Sequence, residues 1–325
     1  MTNQQPTTIR LHPNDNVIVA RDDVAQGAQV AGEAVSANGD VPAGHKIATT
    51  AISKGKAVRK FGQIIGFATA DIAVGDHVHI HNLGMAALDL DHAFGSDCSD
   101  TEMIPEAERA TFEGYVRADG RVGIRNYILV LSTVNCSATV ARRIAEEFRR
   151  DPLDEFPNVD GVFSLTHDGG CGRGVDTEDV DVLQRCSFGY ANNPNVSGFL
   201  LVGLGCESNL VDGIVKRYGI SDATLTRFIN IQDAGGSWAT IERGIEMVRE
   251  MLPEANKISR QTVSASNLVL GLQCGGSDGY SGITANPALG AAADLVVRHG
   301  GTAVLGETPE VYGAEHLLTR RAVTH

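Results

Sequence analysis

LVLGLQCGGSDGYSGITANPALG, residues 268–290, is an apolar run that empties into a glycine-rich polar turn. Residues 268–272 read as a short buried strand. Gln273, Cys274, Gly275, Gly276, Ser277, Asp278 and Gly279 then place donors, acceptors and a thiol at its carboxyl end. Asn286 and Pro287 suit an N-cap and a first helical position, opening a helix that runs through Leu295 towards Arg298. Strand, glycine turn and helix start form the basic step of an α/β fold. Free N–H groups and the helix dipole make such a turn a place for an anionic small molecule. The alternative is a tight strand-to-helix connection.

The same step recurs upstream. Residues 127–131, 162–165, 199–204, 228–231, 268–272 and 302–305 are short apolar runs, and helical segments such as 138–149 and 240–251 lie between most of them. This alternation predicts βαβ units in a mostly parallel, doubly wound, Rossmann-like αβα domain over residues 111–325. Ligands in such sheets sit outside the carboxyl ends of the strands. There the sequence has Cys136, then His167, Asp168 and Cys171, then Cys206 and Glu207, then Gln232 and Asp233, then Cys274. Four of the six cysteines fall just past predicted strand ends, so thiols, amides and a carboxylate are expected in one crevice. Each cysteine alone is equally a small buried filler. Cys98 and Cys186 lie outside the pattern. No CxxC pair exists, which argues against a closed structural zinc site. The GxG steps at 203–205 and 169–174 lack the full dinucleotide fingerprint.

Residues 1–88 read as a compact all-β domain. Val24, Val41, Ile52 and Ile72 are each followed three positions later by glycine, giving four turns between short strands such as 16–20 and 62–68. The domain ends in DHVHIHN, residues 76–82. On an extended strand His77, His79 and His81 share one face, with Val78 and Ile80 on the other. Three imidazoles on one face suit a metal or a polyanion, the alternative being a solvated edge strand. Residues 89–110 are acidic and aperiodic, and read as an interdomain linker.

Three arginines precede the first strand of the α/β domain. Arg121 or Arg125, with Asn126 beside them, could clamp a carboxylate if they face the crevice. Otherwise the segment is a hairpin around Asp119 and Gly120 with solvated charges, the reading preferred for Arg117. Glu307 follows the sixth run and could add a carboxylate.

A chain of 325 residues with 42% hydrophobic and 21% charged residues is globular in composition and long enough for two domains. Its net charge of −13 argues against a general nucleic-acid or anionic-membrane surface. No apolar run has the length of a membrane span, and MTNQQPTTIR is not a signal peptide, so a cytoplasmic location is expected. The cysteines are expected as thiols or metal ligands. Oligomeric state is left open, a homo-oligomer included.

GDHVHIHN (75–82), DGRVGIRNYILVLSTVNCSATVA (119–141), GLGCE (203–207) and LQCGGSDGYSGITANP (272–287), followed by ETPE (307–310) and GAEHLLTRR (313–321), resemble the altronate and galactarate dehydratase family over nearly the whole chain. The resemblance implies an N-terminal SAF-like β-clip domain. It also implies a hydro-lyase that converts a small-molecule sugar acid to a 2-keto-3-deoxy acid, typically with ferrous iron. Sulfolactate sulfo-lyase belongs to the same group, and a non-catalytic sugar-acid-binding fragment is a further alternative. Family members run on through a further C-terminal domain, whereas this sequence stops at His325, so a fragment, or a remainder supplied elsewhere, is expected. On this basis His79 and His81 lie at the metal or at substrate oxygens, with Cys136, Cys171 and Cys206 as alternative ligands for Fe2+ or another divalent cation. Gly275, Gly276, Ser277 and Asp278 would hold substrate hydroxyls or carboxylate. His81 and His167 are the candidate bases.

Overall fold

The computed structural model describes residues 8–88, 90–150, 153–174, 177–220, 225–276 and 278–324. The chain forms two compact units, residues 1–108 together with 269–325, and residues 109–268.

The first unit begins with β1 (Thr8–Ile9), β2 (Val17–Ala20), β3 (Lys46–Ala48), β4 (Ala57–Lys60), β5 (Gln63–Ala68), β6 (His77–Val78) and β7 (Leu83–Gly84). These make two antiparallel sheets, β1-β2-β3-β6 and β4-β5-β7. The four predicted turns are present, and Gly27, Gly44, Gly55 and Gly75 all lie at φ between 79° and 88°, where a side chain would be strained. The acidic residues before the turns have a structural use. Asp23 accepts from the N–H of Ala43, Asp40 from that of Gln26, and Asp71 from that of Lys54. Each carboxylate thus satisfies a turn donor on a neighbouring loop while Val24 pairs with Val41 and Ile52 with Ile72. Two small cores fill the domain, one around Ile18, Val30 and Ile47, the other around Val17, Ile52, Val58 and Ile72.

The second unit holds β8 (Thr111–Val116), β9 (Val122–Gly123), β10 (Tyr127–Ser132), α1 (Asn135–Arg150), β11 (Gly161–Leu165), α2 (Glu178–Ala191), β12 (Val196–Gly203), α3 (Val211–Tyr218), β13 (Thr226–Asn230), α4 (Ser237–Asn256) and β14 (Arg260–Ser264). β10, β11, β12 and β13 are parallel, in the order β11-β10-β12-β13. Alternate residues of β10 face opposite ways. Ile128 and Val130 join Val140, Ile144, Phe148, Val248 and Met251 of α1 and α4, while Leu129 and Leu131 join Val211 and Ile214 of α3. Each fully buried side chain of this size contributes about 1.5–3 kcal/mol. β8, β9 and β14 form a separate antiparallel sheet.

The six apolar runs therefore do not share one sheet. The last two become β15 (Val269–Leu272) and β16 (Thr302–Leu305), a parallel pair linked by α5 (Ala285–Arg298) and followed by α6 (Glu315–Thr319), in the first unit. The reason lies in β14. After α4 the chain pairs antiparallel with β8 and makes a 3-10 turn, which takes it away from the edge strand β13. Nor is the acidic segment a free tether. Arg320 pairs with Asp97 at 2.8 Å and Arg298 with Glu102 at 3.6 Å, while the N–H groups of Gly95 and Asp97 donate to the carbonyls of Thr319 and Arg320.

Candidate active site

β6 ends at Val78, three residues short of a strand through His81. Residues 79–82 instead turn. The Asn82 side chain accepts from the N–H of His79 and donates to the carbonyl of His77, and Ile80 is 85% exposed rather than packed. The turn still gathers the imidazoles, and it adds a fourth. β3 pairs antiparallel with β6, Ile47 opposite His77, so His45 comes beside the cluster. His45 Nδ1 lies 2.9 Å from His77 Nε2, its ring stacks on His79 with centroids 4.6 Å apart, and His77 and His81 rings are 5.3 Å apart. Burial, then the repulsion of His45, His81, His79 and Lys46, pushes His77 down to about 4. His79 is lowered by burial, then by His45 and Lys46. At neutral pH His77 is a neutral nitrogen donor, which favours metal over polyanion chemistry.

A cleft of about 890 Å³ opens at the carboxyl ends of β15 and β16, where Cys274, Gly275, Gly276, Asp278, Asn286 and Glu307 meet. Ser277 lies outside the described residues. Glu307 accepts from the N–H of Cys274, and Asp278 from those of Tyr280 and Ser281, so both carboxylates brace the turn. Asn286 is not the N-cap but the second residue of α5, which Thr284 precedes. The turn is also pressed against the β-domain within the same unit. A Cβ on Gly279 would lie 2.6 Å from Gly44 Cα and 2.7 Å from its carbonyl oxygen, and the Tyr280 hydroxyl donates to the carbonyl of Arg21 at 2.5 Å. Gly44 precedes His45 and Gly279 follows Asp278. The approach of the two glycines thus brings together the backbones that carry the histidine cluster and the glycine turn.

In the second unit, Cys136 lies in the first turn of α1, Cys171 in the loop after β11 and Cys206 in the loop after β12, all exposed. Cys274 belongs to the other unit's sheet, so the four cysteines do not end one set of strands. Hydrogen bonds tie these loops together. The N–H of Asn135 donates to Gly169 O, that of Ser208 to Cys171 O, and Gln232 Nε2 to Cys206 Sγ at 3.3 Å. The keystone is Glu207, only 2% exposed. It accepts from Thr133 Oγ1 at 2.6 Å and from the N–H groups of Leu204 and Gly205. Burial acts to raise its carboxyl, but the hydroxyl and the amides outweigh it and hold it below the usual range. His167 Nδ1 accepts from the N–H of Gly169, its Nε2 is buried without a partner, and burial lowers its pKa. Among the described residues, no three His, Cys, Asp or Glu side chains are already set around a metal position.

Arg121, Arg125 and Asn126 lie elsewhere. They precede β10, at the amino ends of the parallel strands, about 20 Å along the strand from the cysteine loops. Arg121 is engaged by Asp119 and Asn192, and Arg125 by Asp160 at 3.2 Å. Asn126 is fully buried, donating to the carbonyls of Asn158 and Ala255. Arg117, read as solvated, instead donates to Pro194 O, Asn126 Oδ1 and Arg125 O, holding the hairpin against the sheet. A cleft of about 730 Å³ opens at this end, and the described residues that line it are mostly apolar, with no cysteine, serine or histidine among them.

Three family models match the chain in order. The altronate/galactarate dehydratase SAF domain matches residues 6–86, the second domain of D-galactarate dehydratase/altronate hydrolase residues 114–256, and the C-terminal D-galactarate/altronate dehydratase domain residues 265–325. The chain belongs to the altronate and galactarate dehydratase family. The match to the second domain ends at residue 256 and the match to the C-terminal domain begins at residue 265, between β14 and β15. The chain is 39% identical to the altronate dehydratase of Escherichia coli (strain K12) over 95% of its own length, and 34% identical to the galactarate dehydratase (L-threo-forming) of the same organism over 97%. It spans 62% of the length of each. A (2R)-sulfolactate sulfo-lyase subunit beta from Chromohalobacter salexigens is 33% identical over 66% of this chain and 51% of the relative. No helix among the described residues is long and apolar enough to cross a membrane.

Proposed function

We propose that this chain carries the site of a sugar-acid hydro-lyase, dehydrating an altronate- or galactarate-like acid to a 2-keto-3-deoxy acid. The observation that carries the reading is the seating of the glycine turn on the β-domain at Gly279 and Gly44, next to the histidine cluster. It puts nitrogen donors suited to a metal and a polar cleft suited to a polyol in one unit. The donor chemistry fits ferrous iron or a similar borderline cation, with His79 and His81 among the imidazoles available and Cys136, Cys171 and Cys206 as the softer alternatives. Such an ion would supply Lewis acidity at the acid's carboxylate and hydroxyl oxygens.

The residues themselves must hold the acid and move one proton. The C2 proton goes to a base and the C3 hydroxyl leaves as water. His167 is one candidate, since burial lowers its pKa and keeps the ring unprotonated at neutral pH; with Nδ1 accepting from Gly169, Nε2 carries the ring hydrogen and Nδ1 is the atom that would take the proton. His81, exposed in the turn after β6, is the other. Gly275, Gly276 and Asp278 shape the cleft for hydroxyls rather than for the carboxylate, because Glu307 and Glu310 also line it and would repel an anion. A Rossmann-like arrangement of the four-stranded sheet and a cytoplasmic site of action accord with this reading.

The test is an anaerobic assay with Fe2+ that follows 2-keto-3-deoxy product across a panel of aldonates and aldarates. Turnover that falls at least about 100-fold in His81→Ala or His167→Ala is expected for the true base. Binding without product from any acid would sink the hydro-lyase reading, and sulfite released from sulfolactate would replace it with the sulfo-lyase one.

A further inference from the structure

We infer that His45 and His77, 2.9 Å apart through Nδ1 and Nε2, are the two protein ligands of an open divalent-metal site in the β-domain. Two imidazoles bound cis to one ion at metal–nitrogen distances of about 2.0–2.1 Å, near a right angle, have their nitrogens about 2.9–3.0 Å apart. The pair already has that bite. It is held there by sheet geometry and not by side-chain chance, because Ile47 pairs with His77 and Lys46 with Val78 across β3 and β6. His79 stacks on His45 at an interplanar angle of 7°, with the ring centroids 4.6 Å apart, so the His45 ring is packed on one face. No third His, Cys, Asp or Glu among the described residues completes a cage, so the remaining coordination positions are left to water or to substrate oxygens. An open site of this kind is what an ion needs in order to bind a hydroxy acid directly. The role given to the ion rests on the proposed dehydration; the site itself does not.

The same separation also suits an N–H···N hydrogen bond between two imidazoles, and the experiment separates the two. Metal binding to the full chain is measured without substrate, by Co2+ titration followed in the visible and by electron paramagnetic resonance of bound Cu2+. The expected result is one strong site whose Cu2+ spectrum shows coupling to two imidazole nitrogens. His45→Asn and His77→Asn should each weaken Co2+ binding by about tenfold or more, with Cys98→Ser and Cys186→Ser unaffected. Unchanged binding in both His variants, or a wild-type Cu2+ spectrum with fewer than two imidazole nitrogens, overturns the assignment. The spectrum is taken on unmutated protein, so a variant that misfolds leaves the test intact. A chain that binds Co2+ at this pair yet dehydrates no acid would retain the site and lose the hydro-lyase reading.

Discussion

Glu207 is buried and His77 half-buried, and their environments act on ionisation in opposite senses. Glu207 is surrounded by donors, so its charged form is the favoured one. Thr133→Val removes the hydroxyl but keeps the shape, and should cost about 1.5–3 kcal/mol, read as a lower urea midpoint with unchanged slope. Partial burial, then the repulsion that a charged ring would meet from His45, His81, His79 and Lys46, favours the neutral form of His77, and its pKa falls from 6.5 to about 4. Between those values the unfolded chain binds more protons than the folded one, so this contribution to stability is complete above about pH 6.5 and is lost as pH falls towards 4. Denaturation at pH 7.5 and pH 5 should show that loss, and His77→Gln should flatten it. The place of Cys136, Cys171 and Cys206 just past strand ends was legible because each follows an apolar run. His45 was not, because its partner His77 lies on another strand.

At the scale of elements, period and turn chemistry were reliable where the interaction is local. The four glycine turns, the hairpin around Asp119 and Gly120, and helix α1 with Val140, Ala141, Ile144, Ala145 and Phe148 on its buried face all follow from short-range patterns. The strand drawn through His81 fails for a local reason too, since the Asn82 side chain bonds the backbone of His77 and His79 and closes a turn. Packing between elements was invisible. α1 and α4 approach so closely that a Cβ on Gly244 would sit 2.4 Å from Ile144 Cδ1. Gly244→Leu should therefore cost about 1–3 kcal/mol in thermal or urea unfolding, and Ile144→Ala in the same protein should recover part of it.

At the scale of the whole molecule, the junction of Gly44 with Gly279 and the arginine ties of the acidic segment make the first unit from two distant parts of the chain. Gly279→Ala should push the glycine turn off the β-domain, lowering turnover on any accepted sugar acid more than it lowers the melting temperature. Arg320→Ala should speed cleavage of the segment 90–105 in limited proteolysis read by mass spectrometry, and added salt should do the same to the unmutated chain. The sequence alone determined the β-domain turns, the strand and helix alternation and the family, because these rest on neighbours a few positions apart. Tertiary structure alone decided that β15 and β16 leave the parallel sheet and that Arg121, Arg125 and Asn126 stand at its far end. It also decided that His45 completes the histidine cluster. Each depends on which strands pair and which backbones touch, and that is settled by contacts between segments whose separation along the chain carries no periodic signal.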